Sequence, residues 1–449
     1  MVLGCAALLD TPFAHKYDAV AHRQRFFLAV RDVDESHAQA AMQLDQFGLH
    51  VITQAFIQGT SGSSSSKMAG YIAMMPPRGP VLVSIPVDDW DRPSELVAHR
   101  VVSTEFRPQP LVLDQIGVAL DGSSRPAFVV GAAVDRDNAW DDVVKLAETH
   151  NARVWVAPMS GRCSFPEDHR LFAGFLPAIR ERIVSLLDGH DLILALGAPA
   201  FAYHIEGSGP HIPAGATLCQ LTDDPDTAAW TPVGTTAVGS IRLGVLDLLA
   251  RPAPKARPLP EVRGKLVRAE ACERMSVAYV LQTVAEVRDA GDIVVGEAPS
   301  ARPVMQGYLP ITRSETFFTM DSGGLGYGMP AAVGVALGKP GTRVIGIIGD
   351  GSSMYSIQAL WSAPQLKLPI TFVILNNQRY AALQDFAPVF DFTNGDVAQG
   401  TDLPNLDFVA SAQGMGCQVE RMTDARRLHD VLSRGLRHPG PMVVEVEVA

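Results

Sequence analysis

VIGIIGDGS (residues 344–352) and ITFVILNN (residues 370–377) are the two stretches that decide the fold of this 449-residue chain. Each is an apolar run typical of a buried strand in a parallel sheet, and each ends in a side-chain oxygen donor, Asp350 or Asn377. Their spacing suits one strand–helix–strand crossover. Parallel strands present their carboxyl ends at one sheet edge, where ligands bind. The sequence therefore predicts an α/β fold in which Asp350 and Asn377 lie close together.

The residues around this predicted edge are suited to a diphosphate and a metal ion. A carboxylate and an amide oxygen are ligands for Mg²⁺, which often shares its sites with phosphate groups. Gly349 and Gly351 allow a close approach of the backbone, and a helix expected to start near Ser353 would offer free N–H groups to a diphosphate. The alternative is an ordinary Asp-Gly turn with a helix cap. The pairing of two such strand ends favours the diphosphate–Mg²⁺ site.

The rest of the chain divides into four predicted parts by composition and pattern. Residues 1–104 form an incomplete N-terminal part, residues 105–250 a central domain, residues 251–265 a Pro-rich charged linker, and residues 266–449 a C-terminal domain. In the central domain we predict strands at 127–130, 153–157, 192–196 and 217–221 and a helix at 140–150. In the C-terminal domain we predict strands at 293–295, 344–348, 370–375 and 442–448 and a helix that opens at 323–326 and runs to 337.

Composition excludes several classes of protein. Hydrophobic residues make up 47% and charged residues 19% of the chain, so a large core is available and wholesale disorder is excluded. The net charge of −11 repels phosphate backbones and argues against nucleic-acid binding. Five scattered cysteines without a C-x-x-C motif favour a reducing compartment. Since the apolar run at the start is far shorter than the roughly 20 residues of a membrane span, we expect a cytoplasmic protein without a membrane partner.

The motif at residues 349–352, followed by Asn376-Asn377, resembles the metal and diphosphate motif of thiamine-diphosphate-dependent enzymes. The resemblance extends from about residue 69 to the end of the chain. Within the family, the runs around Trp90, Trp155 and His204 are similar to those of benzoylformate decarboxylases. The resemblance implies an α/β, parallel-sheet, three-domain architecture, the cofactors thiamine diphosphate and Mg²⁺, a small 2-oxo acid as substrate, and a homodimer or homotetramer.

The resemblance also assigns residues to the cofactor. Mg²⁺ would be held by the side chains of Asp350 and Asn377 and by the backbone carbonyl of Arg379. Leu325 would wedge the cofactor into its bent shape, the alternative being plain core packing. The cofactor-binding residues implied in this way are Leu325, Gly349, Gly351, Ser352, Glu297, Ser300 and Tyr380.

A histidine and a substrate pocket follow from the same resemblance. His204 falls at the family's active-site histidine, where an imidazole can relay protons after CO₂ departs. The alternative for His204 is a solvated or capping residue in a turn. The pocket positions implied are Thr319, Ala382, Leu383 and Phe386. Thr319 stands where benzoylformate decarboxylases have an aromatic residue, so the identity of the 2-oxo acid stays open.

The first domain departs most from the family pattern. Residues 1–68 do not resemble the family, so we expect an incomplete pyrimidine-binding domain, and a truncated or frame-altered coding region is our hypothesis for its origin. The family's activating glutamate has only a loose candidate there, Glu35. The function we predict is non-oxidative decarboxylation of a benzoylformate-like 2-oxo acid to an aldehyde and CO₂. The alternatives are a carboligase similar to acetolactate synthase and a catalytically impaired, cofactor-binding remnant.

Overall fold

The computed structural model describes residues 57–58, 71–79, 83–84, 101–199, 202–204, 206–264, 266–321, 323–387 and 399–449. Near the start, β1 (Ile57–Gln58) and β2 (Val83–Ser84) pair in parallel. The candidate Glu35 lies outside the described residues. In the ranges that are described, no helix is both long enough and apolar enough to cross a membrane.

The central unit is built on a six-stranded parallel sheet with the strand order β5-β4-β3-β6-β7-β8. Its strands are β3 (Pro126–Val130), β4 (Arg153–Val156), β5 (Phe172–Phe175), β6 (Leu192–Leu196), β7 (Thr217–Thr222) and β8 (Thr235–Val238). Its helices are α1 (Pro110–Gly122), α2 (Ala132–Arg136), α3 (Trp140–His150), α4 (Arg180–Leu186), α5 (Pro225–Trp230) and α6 (Ile241–Leu249). Helices cover both faces of the sheet at β3 and β6, so both strands are buried along their whole length. This burial on both faces explains why their sequences are continuous apolar runs. The five elements predicted in this unit are confirmed to within one residue.

The C-terminal unit is built on a second six-stranded parallel sheet with the order β10-β9-β11-β12-β14-β13. Its strands are β9 (Ile293–Glu297), β10 (Phe317–Thr319), β11 (Val344–Gly349), β12 (Ile370–Asn376), β13 (Gln418–Met422) and β14 (Met442–Glu447). Its helices are α7 (Val277–Val287), α8 (Arg302–Tyr308), α9 (Gly328–Gly338), α10 (Asp350–Ser356), α11 (Ala359–Gln365), α12 (Ala381–Phe386), α13 (Phe408–Gly414) and α14 (Ala425–Arg437), and a 3₁₀-helix covers Pro299–Ala301. β11 and β12 are neighbours, as the two opening stretches predict.

Two predicted helix starts in this unit are wrong. The helix expected to open at 323–326 begins only at Gly328, because Gly323 (φ 76°) and Gly326 (φ 99°) adopt left-handed backbone that an α-helix cannot contain. The helix expected near Ser353 begins at Asp350, immediately after the strand. The side chain of Asp350 accepts a hydrogen bond from the N–H of Gly351 (2.7 Å), which satisfies one of the donors left open in a first helical turn.

The two units pack directly on each other. The described residues of the predicted linker, 251–264, contain no helix or strand, and their role as a linker stays a prediction. Trp140 and Cys163 of the central unit belong to the hydrophobic core of the C-terminal unit. Glu167 donates its N–H to the carbonyl of Ile311 (3.0 Å) and accepts the N–H of Ile311 on its carboxylate (2.9 Å). Residues of the central unit therefore form part of the packing and hydrogen bonding of the C-terminal unit.

Candidate active site

Asp350 and Asn377 meet at the carboxyl ends of β11 and β12. The backbone N–H of Arg379 donates to Oδ2 of Asp350 (3.3 Å) and to Oδ1 of Asn377 (3.2 Å). Because both oxygens lie within hydrogen-bonding distance of the same N–H, they converge on one point. The predicted closeness of these two residues is confirmed.

Asp350 is a buried carboxylate, with 4% of its surface exposed. Burial raises the pKa of Asp350, although hydrogen bonds from the N–H groups of Gly351, Gln378 and Arg379 act against this shift. None of the ion pairs formed by the described residues includes Asp350. Burial of a charged carboxylate without a positively charged partner destabilises the folded protein, and a bound cation would offset that desolvation free energy.

The loop after β12 is held by a second segment of the chain. The N–H of Leu403 donates to the carbonyl of Gln378 (2.8 Å), and the N–H of Tyr380 donates to the carbonyl of Thr401 (2.7 Å). These bonds surround an antiparallel bridge between Arg379 and Asp402. In such a pairing the N–H and C=O of the middle residue both point away from the partner strand. On that side, the N–H of Arg379 reaches Oδ2 of Asp350.

A buried polar network supports this loop from behind. The amide of Asn376 donates to Oε1 of Glu445 (2.7 Å), and its Oδ1 accepts the N–H of Gln378 (3.1 Å). Glu445 is 1% exposed and also pairs with Arg421 (2.9 Å). Asn376, the first asparagine of the motif, thus shapes the loop while the second, Asn377, presents its oxygen to the site.

Gly351 lies close to the edge of the ring of Tyr380. A Cβ atom at this position would overlap the edge of that ring, so only glycine fits. Ser352 is buried in the first turn of α10, and Gly349 ends β11 with its carbonyl accepting from the hydroxyl of Ser353 (2.8 Å). The predicted cofactor residues Gly349, Gly351, Ser352 and Tyr380 therefore lie around Asp350.

Glu297 connects the end of β9 to the loop that carries Leu325. Its carboxylate accepts the N–H of Gly326 (2.5 Å) on one oxygen and the N–H of Gly328 on the other. Burial raises the pKa of Glu297, whose surface is 1% exposed. Leu325 is half-buried in this loop, and Ser300 is exposed in the 3₁₀-helix that follows β9. Glu297 thus fixes the loop, and contact of Glu297, Ser300 and Leu325 with a cofactor stays a prediction.

His204 reaches from the central unit to the C-terminal unit. Its imidazole and the ring of Phe386 in α12 lie edge-to-face with their centroids 6.3 Å apart. α12 packs against the 3₁₀-helix that carries Ser300. Leu383 is 58% exposed and Ala382 is half-buried on the same helix. The structure thus brings the predicted histidine and a predicted pocket residue together.

Thr319 ends β10, the edge strand next to β9. Its hydroxyl donates to the carbonyl of Gly296 (2.7 Å), one residue before Glu297. Its N–H donates to the carbonyl of Gly161 in the central unit (2.9 Å). Thr319 therefore lies where the two units and the end of β9 meet.

Sequence reasoning missed three contributors to this region. The segment 401–403 holds the loop after β12 through backbone hydrogen bonds, which no residue type signals in the sequence. Glu445 could have been found, because a charged residue between Val444 and Val446 in β14 indicates a buried partner. Arg180, at the start of α4, contacts the segment around His204 and had no recognisable motif.

Comparison with known proteins places two domains. The family model described as "Thiamine pyrophosphate enzyme, central domain" matches residues 113–249. The model described as "Thiamine pyrophosphate enzyme, C-terminal TPP binding domain" matches residues 300–446. Both matches lie beyond residue 112, in agreement with an incomplete first domain.

Similar proteins share this architecture. The benzoylformate decarboxylase of Pseudomonas aeruginosa is 42% identical over 382 residues, which cover 83% of this chain and 71% of that protein. The crystal structure of benzoylformate decarboxylase from Polynucleobacter necessarius superposes with a TM-score of 0.82 at 32% identity, covering 88% of this chain and 75% of the other. The thiamine diphosphate-dependent 4-hydroxybenzoylformate decarboxylase of Rhodococcus jostii RHA1 superposes with a TM-score of 0.80 at 34% identity, covering 87% and 75%. The predicted α/β fold is confirmed.

Proposed function

Since this chain belongs to the thiamine-diphosphate-dependent enzymes, in the group of benzoylformate decarboxylase-like carboxy-lyases, we propose that it converts a benzoylformate-like 2-oxo acid to an aldehyde and CO₂ with the help of Mg²⁺. The observation that carries the proposal is the convergence of the oxygens of Asp350 and Asn377 on one backbone N–H. It supports a metal site at the edge of the sheet where ligands bind in open α/β folds.

The donor set fits Mg²⁺ together with a diphosphate. Among the described residues, no group of three or more His, Cys, Asp and Glu side chains is arranged so that it could hold a metal ion. A metal held by one carboxylate, one amide oxygen and one backbone carbonyl needs further oxygens from outside the protein. Mg²⁺ is usually bound in this way, by one or two carboxylates plus substrate phosphates and water. We assign the protein ligands to Asp350, Asn377 and the carbonyl of Arg379, with Ser352 and Tyr380 beside them.

When bound, thiamine diphosphate supplies the electron sink that allows a 2-oxo acid to lose CO₂. The chain's own residues bind the cofactor, shape the pocket and move a proton. A ring nitrogen of His204 would carry the proton that replaces the lost carboxylate in the aldehyde product. Phe386, next to His204, and Leu383 present apolar surface that suits an aryl group.

Product analysis tests the proposal against its alternatives. Purified protein with thiamine diphosphate and Mg²⁺ is given benzoylformate or pyruvate in separate reactions. We expect benzaldehyde and CO₂ from benzoylformate at a low rate, because the family's activating glutamate has only the loose candidate Glu35, and a still lower rate on pyruvate. Acetolactate from pyruvate as the main product would indicate the carboligase, and cofactor binding without turnover of any 2-oxo acid would indicate the impaired remnant. Sedimentation of the same sample tests whether it forms the expected homodimer or homotetramer.

A further inference from the structure

The segment that carries His204 is fastened to the start of α4. We call residues 203–209 the His204 loop; its described residues contain no helix or strand. The N–H of His204 donates to the carbonyl of Ala178 (2.9 Å), just before α4. The N–H of Ser208 donates to the carboxylate of Glu181 in the first turn (2.7 Å). The position of the imidazole therefore depends on contacts with α4 rather than on regular secondary structure.

Arg180 is the residue that touches this loop on both sides of the histidine. Its guanidinium lies over the ring of Tyr203, 5.3 Å from the centroid. Nη1 donates to the carbonyl of Gly209 (3.1 Å), and Nη2 pairs with the carboxylate of Glu206 (2.8 Å). Only 7% of Arg180 is exposed, which is rare for a charged residue unless it has partners. The planar guanidinium can stack and donate in two directions at once, which an ammonium group cannot do.

Two glycines allow the loop to lie close against α4. Gly207 (φ 68°) and Gly209 (φ 84°) adopt left-handed backbone that favours glycine. A Cβ atom on Gly207 would overlap the carboxylate of Glu181, so the loop lies against α4 as closely as glycine permits. Glycines also leave the loop many other conformations once its anchors are removed. The contacts of Arg180 therefore select one conformation among many.

We propose that Arg180 is a positioning residue, which holds the His204 loop so that the imidazole stays against Phe386 of the C-terminal unit. Arg180 acts through His204 and not on the reacting atoms. The consequence for catalysis rests on the proposed function, because it requires His204 to transfer the proton. The positioning of the His204 loop by Arg180 does not rest on the proposed function. It can be measured in the absence of substrate turnover.

Histidine NMR tests the positioning directly. Protein labelled at the imidazole Cε1 is prepared as parent, Arg180→Met and Arg182→Met, and the His204 signal is assigned by its loss in His204→Ala. Arg182 is exposed on the same helix and serves as the matched control. In Arg180→Met we expect the His204 Hε1 signal to narrow and to move toward the position of a free imidazole, because the ring leaves Phe386. Arg182→Met should leave it unchanged.

The other histidines report whether the variant is folded. If the Arg180→Met variant also loses the signal of buried His150, the Arg180→Lys variant is used in its place. Lysine keeps the positive charge and the aliphatic part of the side chain but lacks the planar guanidinium group. We expect Arg180→Lys to keep the His150 signal and to displace that of His204. A His204 signal that stays in place in a folded Arg180 variant would overturn the proposal.

Kinetics then separate this proposal from the proposed function. Arg180→Met should lower kcat on benzoylformate about tenfold with less than a twofold change in KM, and it should have no further effect in the His204→Ala background. An equal loss in both backgrounds would overturn the positioning role. If His204→Ala itself leaves kcat unchanged, the proposed role of His204 fails, and the NMR result still decides whether Arg180 positions the ring.

Discussion

Asp350 and Asn377 share one hydrogen-bond donor, the backbone N–H of Arg379, although they follow different strands of the C-terminal sheet. The register of β11 and β12, which places Gly349 beside Leu375, brings the two strand ends level. The antiparallel bridge between Arg379 and Asp402 then turns the N–H of Arg379 toward both oxygens. The geometry of the site is thus set by backbone pairing, and Asp350 gives the site a negative charge.

Removal of that charge should weaken cofactor binding. Asp350→Ala takes away the only carboxylate of the assigned Mg²⁺ ligands, so we expect the affinity for thiamine diphosphate in the presence of Mg²⁺ to fall tenfold or more, about 1.4 kcal/mol. Titration of protein fluorescence with the cofactor measures it. Asp385→Ala, an exposed position on α12, is the control and should bind normally. An unchanged affinity in Asp350→Ala would remove the metal-site assignment.

The strands and the closeness of their end residues could be predicted from the sequence because they depend on local pattern. The apolar runs at 344–348 and 370–375 are long enough for parallel strands, and one crossover length separates their ends. The late start of α9 could not be predicted, since nothing in the sequence gives the positive φ of Gly323 and Gly326. Sequence shows that a glycine is present but not which conformation it takes.

The contacts that complete the candidate site are tertiary and leave little trace in the sequence. His204 meets Phe386 across two units, which only the packing of the two sheets determines. Thr401 supports the loop after β12 through its carbonyl, and any residue could supply that atom. Resemblance to a family located His204. Arg180 could not be predicted, because its contacts depend on the position of the His204 loop in the folded chain.

Gly351 should not tolerate a side chain. A Cβ atom would overlap the ring of Tyr380, so Gly351→Ala should displace that ring and disturb the pairing of Tyr380 with Thr401. Overpacking of this kind costs about 1–3 kcal/mol, and we expect cofactor affinity to fall about tenfold. Gly334→Ala on α9 is the control, because its Cβ has open space and alanine favours a helix by up to about 1 kcal/mol. Normal cofactor binding in Gly351→Ala would show that Tyr380 does not shape the site.

The contact between the two units should be pH-dependent through Glu167. Burial raises the pKa of Glu167 to about 7, although the N–H of Ile311 and the charge of Arg302 act against this shift. The folded chain therefore binds this proton more tightly than the unfolded chain. The charged carboxylate costs stability above pH 7, on the order of 3 kcal/mol, and this cost disappears as the pH falls below about 4.5.

Glu167→Gln removes the charge but keeps an acceptor for the N–H of Ile311. We expect the variant to melt several degrees above the parent at pH 8 and the gain to shrink steadily toward pH 4.5, as followed by thermal scans across that range. Asp168→Asn, an exposed neighbour, should show no such trend. A gain of the same size at every pH would contradict the assignment of this pH dependence to Glu167.

His204 should matter for turnover and not for cofactor binding. The metal ligands that we assign lie in the C-terminal unit, whereas His204 meets that unit at Phe386, so His204→Ala should leave the affinity for thiamine diphosphate within about twofold of the parent. If its ring nitrogen delivers the proton of the aldehyde product, kcat on benzoylformate should fall by roughly 10²-fold or more. Aldehyde release measures the rate, and His429→Ala on the exposed face of α14 is the control. A His204→Ala variant that binds cofactor poorly and melts at a lower temperature would instead assign the residue to the packing between the two units.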